Sequence, residues 1–211
     1  MKQLRRTIRE ILQESKDACD QLNDMLQGAI NQMVERDIEI VYYEGRSNMQ
    51  IVFKYVETGK TCGILKTTSD SSKLEAECWG GSMVEWAKVD DELKGTGLGA
   101  LMYDVALELI GTDGLMADRF SVSDDAIRNW NYFKQSNDYW KKPLDNIAGE
   151  YTPDKDYDDC ADGSWLDHGG SGDDNKEKFQ SHPLNNVVVK KDQGKPTYRC
   201  LHGIGRIRER D

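Results

Sequence analysis

No stretch of the 211-residue chain approaches the roughly 20 apolar residues that cross a bilayer, so no membrane partner is expected. The N-terminus, MKQLRRTIREILQESKD, carries charges through its apolar positions and lacks the continuous apolar core of a signal peptide. Basic charge is in deficit: 28 Lys and Arg stand against 38 Asp and Glu, a net charge of −10. That balance argues against a nucleic-acid partner, because phosphate contacts need clustered cations. Histidine is scarce, and His168, His182 and His202 match no common zinc spacing. No Cys-x-x-Cys pair occurs among the five cysteines at 19, 62, 78, 160 and 200. Their odd number argues against a disulfide scaffold, and no metal site is expected. Reduced thiols and a cytoplasmic location follow as the simplest expectation. No internal repeat is present.

The charge that is there is uneven. Residues 150–178 hold ten acids and three bases, whereas Lys2, Arg5, Arg6 and Arg9 at one end and Arg206, Arg208 and Arg210 at the other make the termini basic. These ends read as solvated surface or as contacts to a partner.

Periodicity divides the 211 residues into four parts. Residues 1–36 form an N-terminal helical segment. Leu4, Ile8, Ile11 and Leu12 recur at helical spacing, as do Leu22, Met25, Leu26, Ile30 and Met33 or Val34. The first of these stretches offers a surface for a protein partner. Residues 37–140 form the core. IEIVYYEG, MQIVFKYVET and TCGILKTTSD are β-rich runs separated by turn-prone pieces, which predicts an antiparallel meander. Further strands are expected at 74–79 and 83–89. A helix is expected over 97–110, a strand over 115–122, and a helix from Ser123, a good N-cap with Asp124 and Asp125 in its first turn. Residues 141–181 read as a long acidic loop or insertion. Within it, Asp154-x-Asp156-x-Asp158-Asp159 opens like a calcium loop but lacks its Gly and its closing Glu. Residues 182–211 add strands at 186–191 and 198–201 and a basic tail. The order predicts an α/β (α+β) fold with a mixed, mostly antiparallel sheet flanked by helices.

The segment that carries chemistry is Lys94-Gly95-Thr96-Gly97-Leu98-Gly99, between a strand and an amphipathic helix. Glycines let backbone approach a ligand closely. The first helical turn has unpaired N–H groups and partial positive charge, which suit a phosphate or pyrophosphate. No Lys-Ser/Thr follows Gly99, so this is no Walker A loop. A dinucleotide fingerprint would need the preceding strand to open a βαβ unit, whereas it reads as the last of several hairpin strands.

The spacing resembles that of GNAT-type N-acetyltransferases, which carry Gln/Arg-x-x-Gly-x-Gly/Ala between strand and helix, with a Val five residues before. Here Val89, Lys94, Gly95, Thr96, Gly97, Leu98 and Gly99 fall in that order, with Lys94 for Gln/Arg and Asp91 where Pro is frequent. Downstream, Ser123-x-x-Ala126-x-x-x-Trp130 is similar to the family's Asn-x-x-Ala-x-x-x-Tyr, with Trp130 at the position of the usual acid. Leu101–Glu108, Gly114–Arg119, Asp158-Asp159-Cys160 and Pro183-Leu184 also resemble phage-encoded GNAT-like proteins.

The resemblance implies a GNAT-like fold, acetyl-CoA as cosubstrate and an unknown amine as acceptor. The backbone of Trp86, Ala87, Lys88 and Val89 would hold the pantetheine arm. Lys94, Gly95, Thr96, Gly97, Leu98, Gly99 and Ala100 would hold the pyrophosphate. The amine attacks the acetyl carbonyl directly, helped by positioning and a backbone oxyanion donor. Glu85 is the candidate base, placed by alternation on one strand face with Ala87 and Val89. Tyr132 and Tyr103 are the candidate acids. The alternative is a catalytically inactive GNAT-like structural or interaction protein, such as a phage virion component, located in host cytoplasm or virion. Trp130 and the helical N-terminus favour that alternative.

Overall fold

The computed structural model describes residues 13–14, 16–69, 81–117, 122–143 and 186–210. The predicted strand at 74–79, the calcium-like acidic run and most of the 2–15 helix lie outside the described residues. Among the described residues, eight strands form one sheet, in the order β6-β7-β5-β4-β3-β2-β1-β8. They are β1 (Ile38–Glu44), β2 (Asn48–Tyr55), β3 (Thr61–Thr68), β4 (Ser82–Val89), β5 (Leu115–Ala117), β6 (Tyr139–Pro143), β7 (Asn186–Lys190) and β8 (Ile207–Glu209). The helices are α1 (Asp24–Glu35), α2 (Leu98–Ile110), α3 (Asp124–Gln135) and α4 (Pro196–Gly203), preceded by a helical segment over residues 16–20. The α+β class is as expected from the sequence, and none of the described helices is long and apolar enough to cross a membrane.

The meander β1–β4 is antiparallel throughout, and β4–β5 and β1–β8 are parallel. Alternation gives the sheet two unlike faces. One face buries Ile38 and Ile40 of β1, Ile51 and Phe53 of β2 and Leu65 of β3 in a core shared with all four helices. α1 supplies Leu26, Ala29, Ile30 and Met33 to it, while Val34 is left exposed. The apolar stripe of α1 is therefore spent inside the fold.

Capping explains where the helices begin. Asn23 Oδ1 accepts from the Leu26 amide at 3.1 Å and splits the 17–35 stretch into two helical pieces. Ser123 caps α3 as expected, accepting from the Ala126 amide at 3.3 Å.

Three expectations need correction, and one falls partly outside the described residues. Residues 198–201 lie in α4, not in a strand, because Lys195 takes φ 55° and Pro196 presets the first helical turn. The strand at 115–122 is described only over Leu115–Ala117, residues 118–121 lying outside the described set. Residues assigned to the acidic loop at 141–143 belong to β6, an edge strand paired with β7. The thiols are not all reduced: Cys19 and Cys200, 181 residues apart, are brought to a Cα–Cα distance of 4.8 Å and joined as a disulfide. That pairing is a product of the fold, so spacing along the chain carried no sign of it.

The basic tail is satisfied internally. Arg208 makes a two-pronged bond to Glu39, Arg206 pairs with Asp37 at 2.7 Å, and Arg210 lies 5.6 Å above the Tyr43 ring.

The deepest polar feature is a charge cluster on α2. Asp104 and Glu108, one turn apart, share the ammonium of Lys190 from β7. Tyr139 and Thr197 donate to Asp104, and the backbone amides of Thr197 and Tyr198 donate to Glu108 at 2.9 and 2.7 Å. All of these charged side chains are buried. Burial alone would lower the Lys190 pKa, but the two carboxylates reverse that and hold it above its ordinary value. Burial raises the Glu108 pKa above the ordinary carboxylate value, with Asp104 adding to the rise.

A carboxyl with a raised pKa in the folded state contributes stability that is present below its unfolded pKa and is lost as pH rises through the folded one. Urea unfolding across a pH series is therefore expected to show a downward step above about pH 4.5 that Glu108→Gln removes. Lys190→Met is expected to cost about 3–5 kcal/mol, since it strands two buried carboxylates.

Candidate functional site

A cleft of about 1250 Å³ is bordered by β4, the glycine turn, α2 and α3. The described β4–β5 pairing covers Ser82↔Leu115, Met83↔Met116 and Val84↔Ala117. From Glu85 to Val89, β4 forms a wall of the cleft. The facing wall comes from α2 and α3, and the glycine turn closes one end.

The β4 wall is irregular. Its pairing with β3 passes from Lys66↔Trp86 to Thr67↔Val84, which makes Glu85 the inserted residue of a β-bulge. Bulges bend a strand and re-aim side chains, and they cluster beside sites. The bulge also breaks simple alternation: Val84 is buried in the core although it stands two residues from the exposed Trp86. From Glu85 onward alternation is regular: Glu85, Ala87 and Val89 are half-buried while Trp86 and Lys88 are exposed, so the expected grouping of Glu85 with Ala87 and Val89 agrees with the burial of this strand. Glu85 is half-buried and borders the cleft.

The turn is built by its own residues. Leu93 is buried, and its carbonyl accepts from both the Thr96 amide and the Thr96 hydroxyl, the latter at 2.6 Å. Thr96 is thus spent inside the turn, and neither Thr96 nor the buried Leu98 borders the cleft. Lys94, Gly95, Gly97, Gly99 and Ala100 do. Gly97 is the N-cap of α2, at φ 82°, and a Cβ there would meet the Cβ of Ala29 on α1 at 3.1 Å. Only glycine satisfies both constraints without strain. The N–H groups of Leu98, Gly99 and Ala100, in the first turn of α2, have no acceptor within the helix.

Charge at the mouth is paired. Lys94 Nζ lies 2.8 Å from Asp91 and 3.2 Å from Asp125, and Asp125 also binds Arg128. Asp91, through its bond to Lys94, holds the Lys94 pKa above its ordinary value, with Asp125 adding to it. The Arg128 hydrogen bond, then that from Lys94, pulls the Asp125 pKa below its ordinary value. An incoming anion therefore competes with two carboxylates for these cations.

All three sequence-predicted catalytic residues, Glu85, Tyr132 and Tyr103, border this cleft, and Trp130 borders it too. Their surroundings differ. Tyr103 is almost fully buried, its ring edge-on to Trp130 at 5.5 Å, and burial raises its pKa. Tyr132 is half-buried, and its hydroxyl oxygen accepts from Asn23 Nδ2 at 3.0 Å. Trp130 is 1% exposed and forms part of the aromatic core with Phe133.

Sequence reasoning missed Asn23, Met25, Asp125, Arg128 and Asn129 as parts of the site. Asn23 had a signal, as a capping residue before an apolar-periodic run. Asp125, Arg128 and Asn129 fall at the i, i+3, i+4 spacing that puts them on one face of α3, but nothing in the sequence says what that face meets. A Cβ on Gly99 would touch the Asn129 side chain at 3.4 Å, which shows how closely α3 approaches the turn. Comparison with known protein families, with curated proteins and with solved structures finds no match for this chain.

The charge network predicts how Asp125 titrates. Its carboxyl carbon followed by NMR is expected to titrate below the ordinary carboxylate range, and Arg128→Gln is expected to move the midpoint upward.

Proposed function

We propose that the chain is an acyl-CoA-dependent N-acyltransferase with a GNAT-like fold, which moves an acetyl group from acetyl-CoA to an amine by direct attack. The observation that carries this reading is one continuous cleft running from a bulged strand edge to a glycine turn at a helix N-terminus. A long thioester with a pyrophosphate at its far end matches that layout in both shape and chemistry. Where β4 borders the cleft, it would offer backbone groups of Trp86, Ala87, Lys88 and Val89 to an amide-containing arm, by the same logic as strand addition. The amides of Gly97, Leu98, Gly99 and Ala100 and the ammonium of Lys94 suit the pyrophosphate. Thr96 acts by shaping the turn.

The reaction needs few protein groups. The amine nitrogen forms a bond to the acetyl carbon, the C–S bond breaks, and the thiolate departs. One proton must leave the amine and one must reach the sulfur. Glu85, at the bulge, is the base, directly or through water. Tyr132 is favoured over Tyr103 as the acid. Asn23 donates to its oxygen, which leaves the phenol to act as donor, and Tyr132 is the less buried of the two. Most of the acceleration comes from holding the two reactants together. The reading supports acetyl-CoA as cosubstrate and leaves the substituted Trp130 as a wall of the site.

Titration calorimetry with acetyl-CoA is expected to show binding by the wild-type chain and none by Gly97→Glu, with Lys94→Glu weakened and both variants folded by circular dichroism. No heat with wild type would sink the donor reading and leave the inactive structural or virion alternative. Release of CoA thiol with a panel of amines is expected to fall about 100-fold or more in Glu85→Gln, with loss of its pH dependence. An unchanged pH–rate profile would remove Glu85 as base.

A further inference from the structure

The outer face of the sheet, opposite the four helices, carries an aromatic and two cations beside the cleft. Trp86 is 56% exposed, unusual for an indole on a central strand. Lys66 on β3 stands directly across from it in register, and Lys88 lies two residues on along the same face. Both lysines are exposed. Directly opposed side chains in an antiparallel pair are within contact distance, so Lys66 reaches the rim of the indole. Among the described residues neither lysine makes an ion pair, in contrast to Lys94, which is held by two carboxylates. The hydrogen bond and charge of Lys94 hold the Asp91 pKa below its ordinary value, and the charge of Lys88 adds a smaller pull. In a chain of net charge −10, two unneutralised cations flanking an exposed ring form a local exception.

We propose that Trp86, Lys66 and Lys88 are the recognition surface for the acceptor, and that the acceptor amine belongs to a molecule bearing an anionic group, a carboxylate or a phosphate. The proposal rests on the acyltransfer reading and deepens it by naming the acceptor class. The β4 backbone edge from Trp86 to Val89 faces the donor, whereas the side chains of Trp86 and Lys88 project to the outer face. One strand therefore serves both substrates. The bulge at Glu85 is where the two meet, because there the strand changes which face its side chains take. The indole stacks on flat or apolar parts of the acceptor, and the ammonium groups meet its anion. A cationic acceptor drawn by the acidic 150–178 stretch would meet like charge here instead.

Two N-acetylated products that differ only in a carboxylate, N-acetyltyrosine and N-acetyltyramine, test this without any need for turnover. The probe signal is the Trp86 indole N–H in a ¹H–¹⁵N spectrum of the full chain, assigned by Trp86→Phe and independently by Trp86→Leu. N-acetyltyrosine is expected to shift that signal and to bind about five-fold more tightly than N-acetyltyramine, the scale of exposed charge pairs. The Lys66→Gln, Lys88→Gln double variant is expected to bind the two equally. Equal affinities in wild type, or a Trp86 signal moved by neither compound, would overturn the proposal. So would a decathymidylate shifting the same signal at lower concentration, which would mark a nucleic-acid platform. Acetyl-CoA calorimetry reads the opposite side of the strand, so failure of the donor reading and failure of this one are told apart.

Discussion

The fold turns on one ammonium. Lys190 sits between Asp104 and Glu108 with Thr197 as a further partner, and together they join α2, β7 and α4. Tyr139 extends the same network to β6. A buried ion pair adds little net stability over well-packed apolar residues, since desolvation offsets attraction. Its effect is on geometry. Charge-assisted bonds to two consecutive turns of α2 fix the rotation of that helix and its height over the sheet, because any other setting would leave a carboxylate buried without a donor. α2 carries the glycine turn at its other end. The position of the candidate phosphate cradle is therefore set from the far end of the helix, by residues that never approach the cleft.

The second constraint acts at the strand. β4 is a central strand, flanked by β3 and β5, and from Glu85 to Val89 it forms a wall of the cleft. The bulge at Glu85 coincides with the end of the described β4–β5 pairing at Val84. An inserted residue bends the strand and increases its local twist, and this bent stretch of β4 is the one that borders the cleft. α1 completes it from the other direction: Ala29 packs against Gly97, and Asn23 caps α1 while holding Tyr132. Met25 of the same helix borders the cleft.

What the sequence makes legible follows from range. The meander was legible because β-branched and aromatic runs alternate with turn residues over short distances, and the starts of α2 and α3 because glycine and Ser123 are local signals. α4 was misread as a strand because Tyr198–Leu201 is too short for periodicity to choose, and Pro196, the better clue, is one residue. β6 was hidden by Lys141 and Lys142, polar residues that an edge strand tolerates. The Cys19–Cys200 pairing spans 181 residues and belongs wholly to tertiary structure. Asp104 and Glu108 did leave a trace, as acids one turn apart on a helix otherwise apolar on most sides. Naming their partner required knowing that Lys190, in the run Asn186–Lys190, faces inward.

The candidate site divides the same way. Its glycine turn is contiguous, so spacing alone located it, and Lys94, Gly95, Gly97 and Gly99 of that turn border the cleft. Its acid–base groups come from β4 and α3, with Asn23 behind them, and their relation depends on a bulge that shifts the strand by one residue. Alternation is a safe guide only while pairing is regular; one inserted residue reverses it for everything beyond. That reversal is why Val84 is core while Trp86 is exposed, although alternation is regular from Glu85 to Val89. The phase of β4 is thus legible within each half of the strand, and only the shift between the halves is a product of its pairing with β3.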